Sequence, residues 1–80
     1  MVTLVLKIDP QMAFRLFDEF SPENIEINED GSYIARTTIP ESDWIYGYIM
    51  SYGEYAEVLE PKHIKDAIII KYENALKKYR

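Results

Sequence analysis

Apolar and polar positions alternate from the first residues of the chain. Val2, Leu4, Leu6 and Ile8 fall on one side and Thr3, Val5 and Lys7 on the other. A period of two predicts a strand with one buried face, and Val5 makes the second face partly apolar, as in a central strand. Asp9-Pro10 reads as an N-cap followed by proline at the first helical position, where the missing N–H costs nothing. Ala13, Leu16, Phe17 and Phe20 recur at i, i+3, i+4 and i+7, which predicts a helix burying that stripe. Asp18 and Glu19 fall on its outer side, and Ser21-Pro22 ends it, because proline disfavours a helical residue before it.

The next alternation fixes a register. Ile25 and Ile27 flank Glu26, and Tyr33, Ala35, Thr37 and Ile39 alternate with Ile34, Arg36 and Thr38. A two-residue Asp30-Gly31 loop would pair Ile27 with Ile34 and bring Arg36 to the core side. A type I turn over Asn28–Gly31, with Gly31 left-handed as a bulge residue, pairs Ile27 with Tyr33 and Ile25 with Ala35. A slip of one residue turns every side chain over, so burial selects the bulged hairpin.

Pro40 ends that strand. Ser42 is expected to cap a helix running through Trp44, Ile45, Tyr48, Ile49 and Tyr52, with Gly53 as its left-handed terminator. Gly47 inside it is unfavourable by about 1 kcal/mol against alanine, which suggests a close packing contact. Tyr55 to Leu59 reads as a short strand with Ala56 and Val58 on one side. Pro61 then opens a last helix whose apolar face holds Ile64, Ala67, Ile68, Tyr72, Ala75 and Tyr79.

The order is β-α-β-β-α-β-α. With right-handed crossovers it predicts an α+β, ferredoxin-like two-layer sandwich with antiparallel sheet order 4-1-3-2 and two helices on one face. The opposite face then carries Thr3, Val5, Lys7, Glu26, Ile34, Arg36, Thr38, Tyr55 and Glu57. It is a docking surface, an ordinary solvated face, or a face crossed by the last helix; the pattern leaves all three open.

Charge sharpens the picture. The net charge of −5 is uneven: Asp9 to Glu60 holds 12 acidic residues against Arg15 and Arg36, whereas Pro61 to Arg80 holds six basic residues against Asp66 and Glu73. An acidic body repels phosphates at long range, so this domain alone is a poor nucleic-acid binder. Eighty residues make one domain, residues 1–80, with little interior for a deep active site. Without cysteine, and with His63 as the single histidine, the chain offers no thiol chemistry and no histidine cluster for a metal. No apolar run reaches the length of a membrane span, so a small cytoplasmic domain is expected.

Catalytic patterns fail one by one. His63 falls in the first turn of the last helix as an exposed residue, and Gly31, Gly47 and Gly53 build no phosphate loop. Acylphosphatases of this strand order need a glycine-rich anion loop with an arginine after the first strand, where this chain has Ile8-Asp9-Pro10. RNA-recognition modules need aromatics on the central strands, and here only Tyr33, a core residue, qualifies. Neither a catalytic nor a cofactor-binding role is assigned to any residue.

The stretch from Trp44 to Leu59 and on into the last helix carries a resemblance. A tryptophan opens a helix, Gly53 follows its end, and Val58-Leu59-Glu60-Pro61 steps into a final helix ending in tyrosine. Together with the early strand and the Asp-Gly hairpin, this resembles the C-terminal extension, called WCX, of WYL-domain, DeoR-like helix-turn-helix regulators of bacteria. The resemblance covers essentially the whole chain. It implies a fragment of a longer regulator, with a winged helix-turn-helix and a WYL domain of Sm-like β-barrel type lying elsewhere.

It also implies an effector-sensing and dimerisation module rather than an enzyme, with the WYL domain of the same chain as partner. A homodimer, a nucleotide or nucleic-acid effector, and DNA contact only through the N-terminal domain follow from it; no membrane partner does. Regulators of this type often carry an arginine in the first turn of the last helix. Here Ile64-Lys65 stands there, which keeps the charge and loses the bidentate geometry. Val5, Lys7, Ile34, Arg36 and Thr38, on the open sheet face, are the expected contact surface. The alternative is a free-standing ACT-like ligand-binding domain. Asp9-Pro10 argues against it, since such domains place a glycine-rich loop there.

Overall fold

Strand β1, Val2–Ile8, is the spine of the molecule: Leu4, Leu6 and Ile8 are completely buried and Val2 nearly so. In the computed structural model, which describes residues 1–80, β1 lies between two antiparallel neighbours. On one side is β3, Tyr33–Ile39, and on the other β4, Ala56–Glu60. The short β2, Ile25–Ile27, extends the sheet beyond β3, giving the order β2-β3-β1-β4. This is the expected α+β sandwich with its expected sheet order.

The hairpin has the register that burial selects. Ile27 stands opposite Tyr33 and Ile25 opposite Ala35, and Gly31 has φ +88°. The Gly31 N–H donates to the Asn28 carbonyl at 3.0 Å, and Asn28 N–H to the Ser32 carbonyl at 2.8 Å. Asp30 Oδ1 then accepts from the Ser32 N–H and hydroxyl at 2.9 and 2.6 Å, so the turn closes on its own side chains.

All three helices pack on one face of the sheet. Helix α1 spans Ala13–Glu19, after a 3-10 turn at Pro10–Met12. Helix α2 spans Trp44–Met50, and α3, Lys62–Lys77, follows a cis Glu60–Pro61 bond. A core cluster joins Leu4, Leu6, Ile8, Ala35 and Val58 of the sheet to Leu16, Phe20, Ile45, Ile49, Tyr52, Ile64 and Ile68. Each fully buried large aliphatic residue contributes about 1.5–3 kcal/mol relative to exposure. Val5, buried on the other face, stands outside this cluster. The last helix therefore does not cross the outer face.

Several local expectations are corrected. Phe17 is 48% exposed: it meets Tyr33 edge-on, with ring centroids 5.5 Å apart, and stays outside the core cluster that takes Leu16 and Phe20. Ser42 makes no side-chain cap; its carbonyl accepts from Ile45 instead. Helix α2 stops at Met50, and Gly53, at φ +62°, opens a 3-10 turn over Gly53–Tyr55 that removes Tyr55 from the strand. A Cβ on Gly47 would meet nothing within 4 Å, so no close contact accounts for that glycine.

Helix α3 is the largest departure from the predicted burial. Beyond Ile68 every residue except Ala75 is exposed, Tyr79 at 88%. Sixteen helical residues span about 24 Å, whereas the five residues of β4 span about 17 Å, so the helix outruns the strand beneath it. The overhang matches the elongated outline of 38 × 28 × 20 Å. No helix is long and apolar enough to cross a membrane.

Candidate functional site

The sheet face opposite the helices brings the five expected residues together. On β1 and β3, Val5 stands opposite Arg36, Lys7 opposite Ile34, and Thr3 opposite Thr38. On the far side, Lys7 also stands opposite Glu57, and Val5 opposite Glu60 after a bulge between Val5 and Leu6. One row across the sheet thus reads Glu57, Lys7, Ile34, Glu26, with Lys7 and Ile34 standing between the two carboxylates.

Several polar groups on this face are paired, within it or with the adjoining hairpin turn. Arg36 Nη1 donates to Glu26 Oε1 at 2.7 Å, Lys7 approaches Asp30 at 3.8 Å, and the hydroxyls of Thr3 and Thr38 lie 3.0 Å apart. These side chains are largely exposed, so each ion pair contributes only about 0–1 kcal/mol and exchanges readily for a partner's groups. Val5 differs from expectation: at 6% exposure it lies beneath its neighbours. What a partner meets is Lys7, Ile34, Arg36 and Thr38. Tyr55, in its turn, drops out of the set.

A second constellation escaped the sequence reading. Glu19, expected on the outer side of α1, turns toward α2. Its Oε2 accepts from Arg15 Nε at 2.6 Å, and its Oε1 accepts from the Tyr52 hydroxyl at 3.0 Å and from the Tyr48 hydroxyl. The Arg15 guanidinium lies 4.0 Å from the Tyr52 ring centroid and donates to Ser51 Oγ at 2.7 Å and to Ser51 O at 3.2 Å. Burial raises the Glu19 carboxyl, but the donors Tyr48, Arg15 and Tyr52 outweigh it and hold the group below the usual carboxylate range. Burial, then the contact with Glu19, pushes the Tyr48 hydroxyl well above the usual phenol range. Every polar atom in this cluster is engaged with protein, so its chemistry is that of a clasp between α1 and α2.

Beside the clasp, Phe20, Thr37, Ile39 and Trp44 line an open groove of about 300 Å³. A groove of similar volume runs between β4 and α3. His63 is exposed, as expected, with Nε2 3.0 Å from Glu41 Oε1. The clasp carries one sequence signal: Arg15 and Glu19 at i and i+4, and Tyr48 and Tyr52 at the same spacing, the first on α2 and the second just after its end.

Comparison with known proteins agrees with the family resemblance of the sequence. The WCX domain family matches residues 1–76. A relative from Bacillus subtilis (strain 168), named as the uncharacterized HTH-type transcriptional regulator YobV, is 30% identical over 66 residues. The match takes in 81% of this chain and 21% of the relative, so the chain spans about a fifth of that protein's length.

Proposed function

The chain belongs to the WCX domain family, and from that premise we propose that it is the effector-sensing and dimerisation module, residues 1–80, of a WYL-type helix-turn-helix regulator. The outer sheet face is its contact surface for the adjoining WYL domain. DNA contact belongs to a separate N-terminal domain, and nucleotides or oligonucleotides are the effector class. The role is one of contact rather than catalysis, in a cytoplasmic regulator.

The observation that carries this reading is the outer face itself: Lys7, Ile34, Arg36 and Thr38 in one uncovered patch, with charges held only in weak exposed pairs. Such a patch re-pairs at little cost, which suits a surface that changes neighbours. The name of the Bacillus relative supports the regulatory setting. An effector that binds one arrangement of this module against its neighbour better than another shifts DNA affinity by that difference and no more.

The test is Arg36→Glu in the full-length reading frame, assayed for DNA binding with and without an oligonucleotide or nucleotide effector. The reading predicts a folded protein whose DNA affinity no longer responds to effector. A response equal to that of the unaltered protein would remove the outer face from the mechanism.

A further inference from the structure

Charge is unevenly arranged across the outer sheet face. Its two cations, Lys7 and Arg36, stand on the central strands β1 and β3. Carboxylates border them on both sides: Glu26 on β2 with Asp30 in the adjoining turn, and Glu57 and Glu60 on β4. Lys7 is already 3.8 Å from Asp30, and Arg36 is 2.7 Å from Glu26. Glu57 and Glu60 are exposed, stand opposite Lys7 and Val5 in register, and join no salt bridge. Two cations against four carboxylates leave the face acidic, and its unpaired charges are all negative.

The other basic residues of the chain do not correct this balance. Six of them lie from Lys62 onward, in and after α3, and that helix packs on the opposite face of the sheet. Arg15, on α1, belongs to the same helical layer and is engaged with Glu19. A packed core layer is about 10 Å thick, more than the ~8 Å Debye length at physiological salt. An approaching molecule therefore meets the outer face as an acidic surface.

That sign selects the occupant. A nucleotide or oligonucleotide phosphate meets carboxylate borders on both sides of Lys7 and Arg36 and is repelled. A basic protein surface finds Glu57 and Glu60 unpaired, and takes up Glu26 and Asp30 in exchange for weak, exposed ion pairs. Ile34 lies between the two borders, which gives the contact an apolar centre and a charged rim. An acidic face seated on a basic surface also occupies the place a phosphate chain would take there.

We propose that the outer face is an acidic plug: it docks on a basic surface of the adjoining WYL domain, and a polyanionic effector displaces it by competing for that surface. The inference rests on the reading of this face as the contact surface for that domain. It adds the sign of the partner's charge, and it makes effector binding and outer-face contact mutually exclusive. The coupling is reciprocal, so whatever tightens the plug weakens the effector by the same factor.

The full-length protein carrying Thr38→Cys tests it through the rate of maleimide labelling at position 38, followed against oligothymidylate and salt. The expected result is labelling at least ~10-fold faster at saturating oligonucleotide, and faster at high salt than at low salt. Charge reversals move the midpoint of the oligonucleotide titration in opposite directions. Arg36→Glu raises it and Glu57→Lys lowers it, each by roughly 3- to 30-fold. At the wild-type midpoint concentration the response of Arg36→Glu is then largely lost. Arg36→Gln shifts the midpoint the same way by a smaller factor, which separates charge from any disturbance of β2. Reversals that act in one direction, or an oligonucleotide that leaves labelling slow, overturn the plug and leave the contact surface in place. So does an oligonucleotide that slows labelling of the isolated chain. Labelling equally fast in the isolated chain and the full-length protein removes the contact surface itself.

Discussion

Replacing Glu19 with alanine removes the acceptor at the centre of the clasp between α1 and α2. Tyr52 and Tyr48 lose their carboxylate acceptor and keep only each other's hydroxyl, at 3.1 Å, and Arg15 keeps Ser51 and the faces of Tyr52 and Tyr48. Hydrogen bonds to a charged group contribute about 1.5–3 kcal/mol when shielded. Here the Glu19 side chain is 33% exposed and Arg15 22%, so water replaces part of the loss. The expected total is about 2 kcal/mol. For a domain of this size that lowers the melting temperature by roughly 8–16 °C.

The same reasoning fixes the pH dependence. The folded Glu19 carboxyl titrates below its ordinary value, so its stabilising contribution is present above the unfolded pKa of about 4.3–4.5 and is lost as pH falls through the folded value. Glu19→Gln should flatten this acid limb while leaving the neutral-pH melt cooperative. Urea titrations of wild type, Glu19→Gln and Glu19→Ala between pH 7 and 3 make the measurement. A change below ~0.5 kcal/mol for Glu19→Ala, with an unchanged acid limb, refutes the clasp as a source of stability.

Two glycines give opposite signs. Gly47→Ala should stabilise by about 0.5–1 kcal/mol, because the added Cβ meets open space on a helix and the unfolded chain loses entropy; thermal denaturation reads it directly. Gly31→Ala should destabilise by about 1–2 kcal/mol: its φ of +88° is costly for an L side chain, although the nearest atom, Pro10 Cγ, stands at 3.8 Å. Leu6→Ala, at a fully buried central position, should cost about 2–5 kcal/mol in a urea titration.

Much of the fold was legible because each strand has to choose a face. Val2, Leu4, Leu6 and Ile8 admit one orientation, and the Asp30-Gly31 turn admits one register that keeps Arg36 out of the core. Periodicity names a stripe but not what lies opposite it. Tyr72 continues the stripe of α3 and Tyr79 follows in the turn after it, but β4 stops first and leaves neither covered. Glu19 illustrates the same limit. Its position on α1 was clear, yet its burial depends on two tyrosines 29 and 33 residues further along, whose approach only the packing of α2 determines. The outer face was legible as a set of five residues, but the depth of Val5 was not, since it depends on how neighbouring long side chains lie over it.

The chain has no cysteine, which makes the contact role of the outer face directly measurable. Thr38→Cys on that face and Glu23→Cys, on the exposed turn before β2, can each be labelled with a maleimide and followed by peptide mass spectrometry. The comparison is between the isolated chain and the same chain within its full-length protein. The account predicts that Cys labelling at position 38 slows at least ~10-fold in the longer protein while position 23 is unaffected. Equal labelling at position 38 in both settings would contradict it.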